Sequence, residues 1–226
     1  MADTCRIVVM ASGNGSNFQA LIDAVASGKI PSSKIIRLYV NRSKAYATQR
    51  AEQAGIPWEY FNLISNGFQA KGEKDPQKLQ EARDRYDAAL AERLLRGEES
   101  TPDLVVLAGW MYVFGKAFLD PLEARGIRII NLHPALPGAY DGAHAIERAF
   151  DDYKAGKLAN DTTGIMVHNV ISEVDRGEPI LVREIKCRPD EDLHQLEARI
   201  HSYEHELIVE ATAKVAQEIV ASRKAA

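Results

Sequence analysis

The 226-residue chain reads as an α/β protein, a Rossmann-like, mostly parallel twisted sheet of about seven strands with helices on both faces. Three observations predict this. Short β-branched and apolar runs alternate with longer stretches of helical periodicity, the pattern of βα units joined by right-handed crossovers. The run Asp-Leu-Val-Val-Leu-Ala at 103–108 is almost entirely apolar, as a strand buried on both faces must be. The first strand also passes directly into Ser12-Gly13-Asn14-Gly15-Ser16-Asn17, a glycine-bearing loop that opens a helix.

Residues 6–11 form the first strand, and 18–26 a helix with Phe18, Leu21, Ile22 and Val25 at helical spacing. Glycines in the intervening loop let the backbone approach an anion, and unpaired amides at the helix start face it. Two better-known phosphate loops do not match. Position 18 is Phe, which breaks Gly-x-Gly-x-x-Gly, and no Lys follows as a Walker A loop requires. A single phosphate therefore fits better than a dinucleotide or triphosphate; a tight turn without ligand fits the same residues.

A second strand at 35–40 precedes a helix at 44–54 closed by Gly55, and a third strand is expected at 57–63. The polar stretch 62–76 reads as a surface loop. Residues 77–95 make a long amphipathic helix with Leu79, Ala82, Tyr86, Leu90 and Leu94 on its buried side. The fourth strand, 103–108, ends in Gly109-Trp110-Met111-Tyr112-Val113-Phe114. This cluster fits core lining, and also the wall of a pocket for a flat aromatic ligand.

Ile127, Ile129 and Ile130 begin a fifth strand that carries Asn131 and His133. Two residues apart, these leave an extended segment on the same face, and Pro134 and Pro137 then stop the ladder. An amide there can donate to a developing oxyanion, and an imidazole can exchange a proton near neutral pH. The same pair could simply cap a turn. A helix at 144–154 follows. The runs 162–171 and 180–185 then pair as an antiparallel hairpin at the sheet edge. Asp175 lies in its turn, available to an imidazole or serving only to shape the turn. The region 192–222 is helical, as one helix or two with a bend, with Leu193, Leu196, Ile200, Tyr203, Leu207 and Ala211 along one face.

Composition narrows the function classes. A net charge of −4 offers no basic surplus for nucleic acid, and no apolar run is long enough to span a bilayer. The beginning of the chain carries no signal pattern. Cys5 and Cys187 are the two cysteines, too few for a disulfide framework or a cysteine metal site. The expectation is one cytoplasmic domain over 1–226, monomeric or homodimeric, acting on small molecules without nucleic acid, membrane or metal.

Several motifs together resemble the glycinamide ribonucleotide (phosphoribosylglycinamide) formyltransferases, in their stand-alone form, over roughly residues 6–210. They are Ser-Gly-Asn-Gly-Ser-Asn at 12–17, Asp-Leu-Val-Val-Leu-Ala-Gly-Trp-Met at 103–111 and Asn-Leu-His-Pro at 131–134. Thr-Gly-Ile-Met-Val-His at 163–168, Glu-Val-Asp-Arg-Gly-Glu-Pro-Ile at 173–180 and Glu204-His205 complete the set. The resemblance implies a nucleotide- and phosphate-binding half over about 1–110 and a folate-binding and catalytic half over about 111–226. It implies 10-formyltetrahydrofolate as co-substrate and no metal. Gly15, Ser16 and Asn17 would hold a 5′-phosphate and Glu204 the ribose hydroxyls. Met111, Tyr112, Val113 and Phe114 would line the folate pocket, with Asn131 and the turn Ile171, Ser172, Glu173, Val174 and Asp175. Arg83 would face the folate's glutamate tail. Asn131, His133 and Asp175 would be catalytic, with Asp175 raising the His133 pKa. After His133 the loop reads Pro-Ala-Leu-Pro-Gly, one residue shorter than the common bacterial Pro-Ser-Leu-Leu-Pro.

Two other readings use the same residues. A formyltetrahydrofolate hydrolase would apply Asn131, His133 and Asp175 to water. A non-catalytic nucleotide-binding module would use the loop at 13–17 and leave the other three as turn residues.

Overall fold

A computed structural model describes residues 4–97 and 100–225. None of the candidate site residues lies outside them. Seven strands form one sheet: β1 (Cys5–Ala11), β2 (Ser33–Val40), β3 (Trp58–Tyr60), β4 (Leu104–Leu107), β5 (Arg128–His133), β6 (Thr162–Asn169) and β7 (Pro179–Lys186). Their order across the sheet is β3-β2-β1-β4-β5-β6-β7. The first five run parallel, β6 is antiparallel to β5, and β7 is antiparallel to β6. The expected edge hairpin is therefore β6–β7.

Among the described residues six α-helices flank the sheet: α1 (Ser16–Ala26), α2 (Ala47–Gln53), α3 (Pro76–Leu95), α4 (Lys116–Glu123), α5 (Ala145–Lys154) and α6 (Leu193–Ala225). Side-chain alternation along the strands supplies two cores. Ile7, Val9, Leu104, Val106, Ile130 and Leu132 pack toward α1 and α6. Val8, Met10, Val105, Leu107 and Ile129 pack toward α3 and α4. Burial on both faces is what an uninterrupted apolar strand requires.

Several boundaries differ from expectation for local reasons. β3 keeps only Trp58–Tyr60, because β2 offers it three paired residues and Asn62 then turns the chain by accepting from the amides of Ile64 and Ser65. α3 starts at Pro76, capped by the Asp75 carboxylate on the amides of Gln77 and Lys78. Asp before Pro is a strong helix start. α4, which no sequence expectation covered, carries Pro121 in its interior; Phe118, Leu119 and Leu122 bury its inner face. α6 is one helix of 33 residues. Among the described residues no helix is long and apolar enough to cross a membrane.

The chain reverses direction across the sheet between β1 and β4, so the loops leaving their carboxyl ends diverge and open a crevice. Ser12 ties the two loops together: its amide donates to the Gly109 carbonyl at 3.0 Å and its Oγ accepts from the Met111 amide at 2.7 Å.

Candidate active site

A cleft of about 860 Å³ lies along this crevice, bounded by the loop at 13–17, the segment 107–114, the end of β5, and the turn after β6. That volume suits a large small-molecule ligand.

The glycine-loop end of the cleft is built on α1. Gly15 caps the helix with φ 75°, a left-handed conformation natural to glycine. A Cβ there would stand 2.7 Å from Ala47 Cβ and 2.9 Å from Ala47 Cα, so only glycine lets the start of α2 close on the loop. Arg50 on α2 holds the loop from outside, donating to the Asn14 carbonyl and side-chain oxygen, each at 2.9 Å. The first amides of α1, at Ser16 and Asn17, have no helical acceptor and carry the positive end of the helix dipole. Asn17 Nδ2 lies 3.4 Å from the buried carboxylate of Glu204, which comes from α6. His201, one turn earlier, places Nδ1 2.9 Å from Glu204 Oε2. This bond raises the His201 pKa against the opposing effect of burial. Gly15, Ser16, Asn17 and Glu204 are thus brought together, and His201 joins them.

The opposite end has apolar walls. The aromatic segment divides by alternation. Trp110 and Phe114 are buried and stacked at 5.9 Å, and Phe114 stacks on Phe118 at 3.8 Å. Met111 and Val113 stay 60% and 48% exposed, which leaves apolar surface for a ligand. Ile171 and Val174, also exposed, face the same cleft. All five residues from Trp110 to Phe114 border the cleft, while Trp110 and Phe114 also belong to the core beneath it. Arg83 donates to the Val113 carbonyl at 2.7 Å and lies over the Tyr112 ring at 4.5 Å, a cation at the cleft's rim. Glu173 lines the cleft with its neighbours, but Ser172 is not among the lining residues.

Asn131, His133 and Asp175 meet at the centre. Asn131 and His133 continue the face of β5 that begins with Ile129, so strand alternation sets their direction. Asp175 reaches them from the β6–β7 turn with φ 56°, an uncommon backbone for a non-glycine residue. Its Oδ1 accepts from Asn131 Nδ2 at 3.2 Å, and its Oδ2 accepts from the Gly142 amide at 2.8 Å. His133 Nδ1 is 3.4 Å from Asp175 Oδ2.

His168 completes the group, a residue sequence reasoning placed only in a strand. It sits opposite Asn131 in the β5–β6 register, so the two side chains share a face. Its Nε2 is 3.2 Å from Asn131 Nδ2 and 3.4 Å from Asp175 Oδ1, and its Nδ1 is 2.9 Å from the Asn169 carbonyl. That last contact requires Nδ1 to donate. The available signal was the pairing of two β-rich runs, one with Asn131 and one with His168.

Burial and charge compete here. Burial alone raises the Asp175 carboxyl, but hydrogen bonds from His168 and Gly142 and the nearby imidazoles hold it below the usual carboxylate range. At His133, burial lowers the imidazole pKa and outweighs the upward pull of Asp175. Asp175 thus acts in the expected direction, yet the net shift in the free site is downward. Desolvation penalises the charged form of a nearly enclosed ring more than one carboxylate at 3.4 Å restores. His133 is 4% exposed, and no hydrogen bond of ordinary geometry reaches its buried Nε2. Among the described residues, no group of three or more His, Cys, Asp or Glu side chains could hold a metal ion.

The described geometry matches a known family. The formyl transferase family model covers residues 5–212. The phosphoribosylglycinamide formyltransferase of Schizosaccharomyces pombe is 44% identical over 206 residues, covering 91% of this chain and 94% of that one. The Dictyostelium discoideum enzyme of the same name is 45% identical, with 92% and 96% covered. Among solved structures, glycinamide ribonucleotide transformylase 1 from Symbiobacterium toebii superposes with a TM-score of 0.77 at 28% identity, over 96% of this chain and 90% of that chain. The chain belongs to the formyl transferase family, among the phosphoribosylglycinamide formyltransferases.

Proposed function

We propose that this enzyme transfers the formyl group of 10-formyltetrahydrofolate to the amine of 5′-phosphoribosylglycinamide, a step of purine synthesis. The observation that carries the reading is the meeting of Asn131, His133 and Asp175 in one cleft between an anion-binding helix start and apolar walls. Gly15, Ser16 and Asn17 take the phosphate, and Glu204 accepts from the ribose hydroxyls. Met111, Val113, Ile171 and Val174 hold the flat folate rings, with Tyr112, Phe114 and Glu173 around them and Arg83 toward the glutamate tail. The two ends of the cleft draw on both halves of the chain, since Arg83 precedes residue 110 and Glu204 follows it.

The chemistry needs no covalent enzyme intermediate. The substrate amine bonds to the formyl carbon, the N10–formyl bond breaks, and the proton lost by the amine passes to N10. Holding both reactants in one cleft supplies of order 7 kcal/mol or more of the barrier reduction. Asn131 Nδ2 and His133 Nε2 donate to the oxygen as it becomes an alkoxide. Negative charge growing beside the ring opposes the burial penalty and favours the imidazolium, whose extra proton is taken from water as the substrates bind and returned to water after product leaves. Asp175 supports that cation and relays the amine proton, directly or through a water. His168 orients Asp175. The reading places the enzyme in the cytoplasm, since both cysteines are buried and unpaired, as suits a reducing compartment.

Absorbance loss of 10-formyltetrahydrofolate at neutral pH, with chelator present, tests this. Turnover is expected only with the ribonucleotide. Turnover without it would mean a hydrolase, and none in either case from folded protein would leave a binding module.

A further inference from the structure

Two neighbouring residues of one loop meet two neighbouring residues of another at the mouth of the cleft. Gly142 donates its amide to Asp175 Oδ2 at 2.8 Å. Beside that bond, Asp141 Oδ2 accepts from Arg176 Nε at 2.7 Å and pairs with Arg176 Nη2 at 2.6 Å. Arg148 on α5 grips the same loop, donating through Nη2 to the carbonyls of Tyr140 and Asp141 at 2.6 and 2.7 Å. Both loops hold left-handed backbone at non-glycine positions, with φ of 51° at Tyr140, 58° at His144 and 56° at Asp175. Non-glycine residues keep such angles only where surrounding contacts hold them.

We infer that Arg176 and Asp141 form a clasp that positions Asp175, a role resting on the reading of Asp175 as a catalytic residue. Arg176 and Asp141 themselves touch no reacting atom. Arg176 follows Asp175 directly, so fixing its guanidinium on Asp141 fixes the carboxylate against Gly142. Nε and Nη2 of Arg176 both converge on Asp141 Oδ2, so the guanidinium is held at two of its nitrogens. Without the clasp the Gly142 amide and Asp175 lose their common register, and the carboxylate is no longer held between Asn131, His133 and His168. A displacement of that kind reduces rate more than affinity.

The test is a kinetic cycle on the full chain with Arg176→Gln, Asp141→Asn and the double variant, with Arg176→Lys and Asp175→Asn alongside. The expected result is a fall in kcat of roughly tenfold in each single variant, with both KM values within about twofold. The double variant should be no slower than the slower single one, because both remove one contact, and Arg176→Lys should recover part of the loss. Asp175→Asn should be the most impaired. Wild-type kcat in both single variants while Asp175→Asn is inactive would overturn the clasp alone. Additive losses, or losses confined to KM, would overturn it as well. Wild-type turnover in Asp175→Asn would overturn the reading beneath it. Melting temperatures identify any loss of folded protein, and the partial recovery by Arg176→Lys then separates positioning from folding.

Discussion

The Asn131 side chain donates to Asp175 Oδ1 at 3.2 Å, joining the end of a parallel strand to a hairpin turn 44 residues later. The same Nδ2 also lies 3.2 Å from His168 Nε2. One amide nitrogen thus contacts both His168 and Asp175, the carboxylate that also approaches His133.

Replacing Asn131 with Ala should lower kcat about 100-fold or more, the usual effect of removing one oxyanion donor. Both KM values should change little. Steady-state kinetics on protein of unchanged melting temperature checks this; a variant at wild-type kcat would remove Asn131 from the chemistry.

His133 should titrate below the ordinary histidine value of 6.5 in the free protein, because burial lowers it more than Asp175 raises it. Asp175→Asn should lower it further. The unfolded state then binds more protons between the folded pKa and 6.5, so this residue's stability contribution is present above 6.5 and lost as pH falls through that window. A histidine-selective NMR titration decides the matter: a value above 6.5 would contradict the balance described.

Asp87 is 1% exposed and accepts from the Gly115 amide at 2.6 Å, fastening the segment after Phe114 to α3. Burial pushes its carboxyl up to about 6, against the Gly115 hydrogen bond and the Tyr112 hydroxyl. The folded state therefore holds a proton that the unfolded chain has released between pH 4 and pH 6, and stability falls as pH rises through that range. Asp87→Asn should be more stable than wild type at pH 8, by at most roughly 3 kcal/mol, with the gain absent at pH 4. Urea unfolding at the two values is the measurement; an equal difference at both would assign the effect to something other than ionisation.

Gly177 follows the clasp directly. A Cβ there would fall 1.6 Å from the Asn169 carbonyl oxygen and 3.2 Å from His168 Nδ1. Gly177→Ala must therefore push the hairpin turn off β6, with an overpacking cost of about 1–3 kcal/mol or more, and carry Asp175 away from Asn131. Denaturant midpoint and kcat should fall together. Unchanged kcat would show that the turn can shift without moving the carboxylate.

His201 is held as the better proton acceptor by Glu204, so it should stay charged somewhat above 6.5, at the end of the cleft proposed to take the phosphate. Ribonucleotide KM should rise as pH increases through that value. His201→Asn should raise KM at neutral pH and abolish the added pH dependence, leaving kcat nearly unchanged. A variant with the wild-type KM profile would place the phosphate out of reach of His201.

The order of elements was legible because hydrophobic periodicity is a local property. Alternating strand and helix runs, the apolar 103–108 segment and the glycine loop were enough to specify a parallel sheet with an edge hairpin. Residues of the motifs at 12–17, 131–134 and 173–180 border one cleft. α4, which no sequence expectation covered, tolerates Pro121 in its interior because Phe118 and Leu122 are buried. What only the tertiary structure decided lies in contacts between distant segments. The antiparallel register put His168 opposite Asn131, α6 returned Glu204 and His201 to a loop almost 190 residues earlier, and Arg176 found Asp141. Enclosure also set the His133 pKa, since desolvation depends on everything packed around a ring and nothing in its neighbouring sequence encodes that sum.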